Sequence, residues 1–251
     1  MSEGQHIPYA ASALPVPHAR SVLVLAPHPD DETIGCGSSA ALYAQAGIPV
    51  RALVMTDGSL WGAPPPGMGV VEAREAETRA AAQVLGCAEP LFARHPDRHL
   101  PTGAVLVAEI VAQVRASGAD TVFAPSLWEV HPDHRVLAEA AIDALEALGA
   151  GYTLVQYEVG MPLLPNVLVD ITPVLECKHK AMACFVSQLA MQAYDRHVNA
   201  LNVFRTYTLP ASVLAAEGFR VCTPQEARDD PYGLMFQGHA HPALAAMRVT
   251  G

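Results

Sequence analysis

Ser21-Val-Leu-Val-Leu-Ala-Pro-His-Pro-Asp-Asp-Glu-Thr-Ile-Gly-Cys-Gly37 is the stretch that decides the fold. Residues 21–26 form an apolar run without helical spacing, the pattern of a strand buried on both faces. The run stops at Pro27 and Pro29. Beyond Thr33, Gly35 and Gly37 lead into the Ala-rich stretch 38–46, a predicted helix. His28, Asp30, Asp31 and Glu32 therefore fall in a strand-to-helix turn. In an open parallel sheet that turn lies on the rim where ligands bind. A helix N-cap would account for one aspartate. Two adjacent aspartates with Glu32, beside a histidine held between prolines, are more than a cap needs. Carboxylates this close repel unless a cation sits among them, and Pro29 stiffens the backbone that would hold one.

Working outward, strands and helices alternate. Strands are expected at 49–56, 91–94, 120–125, 152–159 and 166–171. Helices are expected at 70–85, closed by Gly86, at 103–116 and 136–148, and from Thr172-Pro173 to about Tyr194. The stretch 197–207 also reads as helix. This is an α/β pattern: a Rossmann-like, mostly parallel sheet with helices on both faces and the site at the C-terminal rim of the strands. His-Pro-Asp occurs at 28, 95 and 131. The third copy, His131-Pro-Asp-His134, again follows a strand and precedes a helix. Strands 21–26 and 120–125 would be neighbours across the topological switch point, which sets both turns on one rim. The middle copy is followed by Pro96 and Pro101, which disfavour a regular helix and remove the meaning of the His95/His99 spacing. Arg74 and Glu77 on their own read as a surface i,i+3 pair.

Ala26-Pro-His-Pro-Asp-Asp-Glu32 and His131-Pro-Asp-His134, in this order and about 100 residues apart, resemble the paired signatures of the PIG-L/LmbE-type zinc-dependent de-N-acetylases. The resemblance covers residues 21–190. It implies hydrolysis of the acetamide of an N-acetylglucosamine-containing small molecule or glycoconjugate. It implies Zn2+ held by His28, Asp31 and His134, with Asp30 as general base and His131 as an imidazolium stabilising the oxyanion. It also implies Arg74 and Asp97 at the substrate, although Arg98 stands where the family has glycine. Lys178 and Ser187-Gln188 resemble a further family element, with Phe185 where a histidine is often found. Asp133 is a candidate to orient one of the histidines. Glu32 and Glu129 either do the same or cap helices. Two histidines and one carboxylate suit Fe2+ as well.

Bulk properties narrow the alternatives. Hydrophobic residues make up 51 % of 251, enough for a sizeable core, and the formal charge is −10 without a basic run, which argues against nucleic acid and anionic membranes. No stretch reads as a membrane span or a signal peptide. The five cysteines are scattered without a C-x-x-C, as free thiols in a reducing, cytoplasmic setting. The expected division is a leader at 1–20, one α/β domain at 21–222, and a tail at 223–251 whose Ala-rich end suits a homo-oligomer contact. Two readings compete with the hydrolase. A nucleotide-binding protein would want a G-x-G-x-x-G turn, whereas Gly35-Cys-Gly37 is short and follows acidic residues that repel phosphate. A non-catalytic metal- or sugar-binding module would be expected to lack Asp30 or a ligand, and all are present.

Overall fold

The computed structural model describes residues 11–234. In chain order the strands are β1 (Ala11–Ser12), β2 (Val22–Ala26), β3 (Val50–Thr56), β4 (Leu91–His95), β5 (Thr121–Pro125), β6 (Thr153–Tyr157), β7 (Val167–Asp170) and β8 (Ala216–Cys222). The α-helices are α1 (Asp31–Gln45), α2 (Val70–Leu85), α3 (Ala104–Ser117), α4 (Pro132–Leu148), α5 (Leu175–Met182), α6 (Val186–Leu189), α7 (Tyr194–Phe204) and α8 (Pro224–Asp229).

The strands form one sheet in the order β1-β7-β8-β6-β5-β2-β3-β4. From β4 to β6 every pairing is parallel. β2 lies between β3 and β5, with Val22 opposite both Val50 and Thr121. Strand order reverses at the β2/β5 boundary, which places the turns after both strands side by side as expected. β2 also shows why its run is continuously apolar. Val22 and Val24 enter one core with Tyr43 and Phe123, while Leu23 and Leu25 enter the other with Ile110 and Leu137. Side chains alternate between faces, and helices cover both. α1, α2 and α5 pack together, as do α3, α4 and α8.

Two features depart from the expectations. β8 was not expected as a strand; it runs antiparallel between β6 and β7. Its sequence, Ala-Glu-Gly-Phe-Arg-Val-Cys, buries Glu217 and Arg220, so the apolar signal is broken. The single helix expected from Thr172 to Tyr194 is instead a 3-10 turn at Thr172–Val174 followed by α5, α6 and the start of α7. The break at Phe185 (φ −84°, ψ 59°) buries its ring in the core. The new helix start is then held by Glu77, which accepts from Ser187 N at 2.7 Å and Ser187 Oγ at 2.6 Å. Glu77 therefore does not pair with Arg74 as a surface i,i+3 couple. His239 and His241, and most of the tail, lie outside the described residues.

Candidate active site

The rim above β2 and β5 opens into a cavity of about 640 Å³. At its floor three donor atoms converge from two turns. His28 Nδ1 lies 3.1 Å from Asp31 Oδ2 and 3.2 Å from His134 Nε2, and His134 Nε2 lies 3.1 Å from the same Asp31 oxygen. All three residues are buried. Two ring nitrogens and one carboxylate oxygen facing a common point cannot all be satisfied by one proton. Donors bonded at ~2.0–2.2 Å to one tetrahedral cation would be separated by roughly 3.3–3.5 Å, so this donor set fits a zinc-type ion with small adjustment.

Each of the three is held from behind. His28 N donates to Asp31 Oδ2 at 2.9 Å. The outer nitrogen of His28, Nε2, faces Asp133 Oδ2 at 3.2 Å and Asp97 Oδ1 at 3.4 Å. This carboxylate–histidine arrangement fixes the ring and its tautomer. His28, Asp97, His131 and Asp133 also lie close enough to count as a second donor cluster. A cation there would require His28 to lose its remaining ring proton, so the cluster is better read as support for His28. His134 Nδ1 faces Glu129 Oε2 at 3.3 Å. Glu129 in turn accepts from the backbone of Val159 and Gly160 at 2.8 and 3.1 Å. Glu129 thus neither caps a helix nor points to solvent. Glu32 turns away and ties its own loop, accepting from Asp30 N and Thr33 Oγ1.

Asp30 occupies the N-cap position of α1, yet its side chain makes no cap bond, and its backbone sits at φ 126°. That is a costly conformation for a non-glycine residue, of the kind that persists where surroundings over-determine it. Its carboxylate faces Arg74 Nη2 at 3.2 Å. Arg74 is 3 % exposed and also donates to Pro29 O at 2.6 Å and Gly58 O at 3.0 Å. Most of its donors are used inside the protein, so this arginine braces the Asp30 turn. Asp97 is buried and lines the cavity, its Oδ1 facing His28 Nε2 and its Oδ2 accepting from Leu60 N at 3.3 Å. Arg98, at the glycine position, adopts φ 64°, and its N–H donates to Asp133 at 2.8 Å. The turn therefore forms despite the side chain.

His131 caps α4, its Nδ1 accepting from Asp133 N at 3.2 Å. That bond keeps Nδ1 unprotonated and leaves the proton on Nε2. Burial, with His28 and His134 nearby, also lowers its pKa.

Burial pushes Asp30 up to about 7, with Arg74 opposing and Asp31 adding to the shift. Burial would raise Asp31 too, but His134 and His28 outweigh it and hold this carboxyl far below its usual range. Burial works against a charged His28, yet its hydrogen bonds to Asp133, Asp31 and Asp97 raise it well above 6.5. His134, also opposed by burial, is raised by Asp31 to about 9. Protons on the two rings supply the positive charge that the carboxylates demand and a cation would otherwise bring.

The outer cavity brings in Gln188, from the Ser-Gln element, and groups no motif announced, among them Trp61, Tyr194 and Leu201. Gln188 Nε2 donates to Trp61 O at 3.0 Å, which ties α6 to the loop before α2. The middle His-Pro-Asp copy splits: Asp97 joins the site, while His95 pairs with Glu109 at 2.8 Å.

The fold and site define a Rossmann-like α/β protein with a candidate metal centre at its switch point. Residues 23–145 match the PIG-L family, described as GlcNAc-PI de-N-acetylase. It is 29 % identical over 199 residues to the diacetylchitobiose deacetylase of Thermococcus kodakarensis, covering 72 % of this chain and 74 % of that one. It is 31 % identical over 168 residues to a 1D-myo-inositol 2-acetamido-2-deoxy-alpha-D-glucopyranoside deacetylase of Kineococcus radiotolerans, covering 53 % of this chain but only 46 % of the relative. Among solved structures, the N,N'-diacetylchitobiose deacetylase of Pyrococcus horikoshii superposes with a TM-score of 0.73 at 26 % identity, covering 83 % of this chain and 86 % of that one.

Proposed function

We propose that this protein hydrolyses the acetamide of an N-acetylglucosamine-containing small molecule or glycoconjugate, releasing acetate and a free amine. The observation that carries this reading is the triangle of His28 Nδ1, Asp31 Oδ2 and His134 Nε2, 3.1–3.2 Å on a side, with Asp30 left over beside it. His28, Asp31 and His134 would hold zinc, the metal we assign, although the donors also suit Fe2+. Bound there, it would supply Lewis acidity, polarising the amide carbonyl and lowering the pKa of water toward roughly 7.

The chain's own groups handle the protons. Asp30 accepts one from the attacking water as the oxygen–carbon bond forms, and delivers it to the nitrogen as the carbon–nitrogen bond breaks. A carboxyl lifted to about 7 is matched to both duties near neutral pH. Arg74 holds it in place. His131 donates its Nε2 proton in a hydrogen bond to the carbonyl oxygen as negative charge builds. Asp133 orients His28, and Glu129 orients His134. Asp97, which lines the cavity beside His28, is suited to accept from a sugar hydroxyl.

The cavity of about 640 Å³ lies well inside the roughly 300–1,000 Å³ range of small-molecule pockets. We assign its outer half, against Trp61 and α7, to the rest of the substrate. The described cysteines are all unpaired, which supports a reducing, cytoplasmic setting. No helix of the described residues is long and apolar enough to cross a membrane.

The test is acetate release by the zinc-loaded protein from a panel of N-acetylglucosaminides. Asp30→Asn is expected to keep its metal and lose about 10²–10⁴ in turnover. Asp31→Ala is expected to lose the metal itself. Absence of acetate release from every member of the panel would overturn the proposal.

A further inference from the structure

α1 is two helices in one. Cys36 sits at φ −145°, ψ 19°, outside helical geometry, so the turn from Asp31 to Gly35 is separated from the longer body beyond it. A break of this kind leaves backbone donors bare at the start of the second piece and carbonyls bare at the end of the first. Both sets are met by one buried ion pair from distant parts of the chain. Glu217, on β8, accepts from Ser38 N at 3.0 Å, Ser39 N at 2.9 Å and Ser39 Oγ at 2.7 Å. Lys178, on α5, donates to Ile34 O at 2.9 Å and to Glu217 Oε1 at 2.7 Å. Each side chain is 1 % exposed. The negative group sits on a helix N-terminus and the positive group on a helix C-terminus, the favourable sense at both ends.

The short first piece carries Asp31 and is entered through Asp30. Its far end is wedged as well. A Cβ on Gly35 would lie 2.2 Å from the Tyr157 ring, and Tyr157 is tied by its hydroxyl to Leu25 O at 2.8 Å. The turn is thus fixed by Tyr157 on one side and by the Lys178–Glu217 pair on the other.

We propose that Lys178 and Glu217 are positioning residues for the metal centre: by closing the break in α1 they set the orientation of the Asp30–Asp31 turn toward His134. This rests on the metal reading of the site. A buried pair that only stabilised the fold would be replaceable without changing the donor triangle. Here the pair bonds directly to the peptide groups that aim it.

The experiment measures zinc affinity by competition with a chromophoric chelator, alongside thermal unfolding, for the full-length protein. The variants are Glu217→Gln, Lys178→Met, Ser39→Ala and, as control, Arg220→Met. Arg220 is another buried charge on β8, bonded to Gln156 Oε1 at 3.1 Å and away from α1. Glu217→Gln and Lys178→Met are expected to bind zinc at least ~10-fold more weakly, while Arg220→Met loses stability without that loss. Ser39→Ala keeps both charges and removes one bond to Glu217. It is expected to weaken zinc binding less, in the same direction, and it decides the matter if the charge variants do not fold. Zinc affinity unchanged in Glu217→Gln, or in Ser39→Ala where the former is unfolded, would overturn the proposal while leaving the metal centre intact. A wild-type protein that binds no zinc would remove the metal reading and this inference with it.

Discussion

The turn after β2 and the turn after β5 begin from nearly the same peptide, His-Pro-Asp-Asp at 28 and His-Pro-Asp-His at 131, and are held in opposite ways. The second is locally self-sufficient. His131 caps α4 with its own side chain, Pro132 occupies the first helical position, and the helix runs unbroken to Leu148. The first is not. Asp30 makes no cap bond and sits at φ 126°, and its helix breaks after one turn. Arg74, Tyr157, Lys178 and Glu217 restrain it from outside. The difference lies in the side chains each turn presents. His131 has two ring nitrogens, so Nδ1 can cap its helix while the ring still lines the cavity, whereas Asp30 makes no cap bond. The β2 turn offers Asp30 and Asp31 to the site, so its helix start is restrained by other parts of the molecule.

Substitutions at matched places test this asymmetry. The largest effect is expected at Gly35, where a methyl group meets the Tyr157 ring. Gly35→Ala should cost about 1–3 kcal/mol in urea unfolding, whereas Pro132→Ala in the other turn should cost less than about 0.5 kcal/mol. Equal costs would dissolve the contrast. Next come the carboxylates behind the two rings. Asp133→Asn and Glu129→Gln should each weaken zinc binding about 10–100-fold by isothermal titration. If only one of them did so, support of the histidines would not be shared between the turns.

A smaller effect concerns pH. In the metal-free protein His134 is raised from 6.5 to about 9, so its contribution to stability is fully present below 6.5 and lost as pH rises through about 9. Asp30 and Glu32 are raised to about 7 and about 8, protonated in the fold but ionised in the unfolded chain, so they too remove stability as pH rises from the usual carboxylate range to about 8. Melting temperature without metal should therefore fall between about pH 6 and pH 9, and zinc should flatten that slope. A metal-free melting temperature that rose over this interval would contradict the placement of these protons. The smallest effect belongs to the middle copy. His95→Ala removes only the partly exposed Glu109 pair and should leave zinc affinity unchanged and stability within about 1 kcal/mol.

Much of the architecture was legible because it is written in local periods. The helix at 70–85 needed only its spacing and Gly86. The strand under each His-Pro-Asp turn needed only an apolar run ended by proline. β8 was missed because burying Glu217 and Arg220 makes it read as polar, and both charges find partners only in the folded molecule. The long helix expected after Thr172 was over-read for the converse reason. Its composition is helical throughout, but core packing of Phe185 interrupts it.

Within the site, the sequence alone determined which residues of the two His-Pro-Asp turns after β2 and β5 reach the rim, since a strand ending in a fixed turn projects the next few side chains over its C-terminal edge. Tertiary structure decided the role each residue takes there. Which nitrogen of His28 meets Asp31, which proton His131 keeps, that Arg74 serves Asp30 and that Glu217 closes α1 across 179 residues all depend on neighbours a few ångströms away in space. A charged group's function is set by the groups that surround it at that range, and those are assembled only when the chain folds.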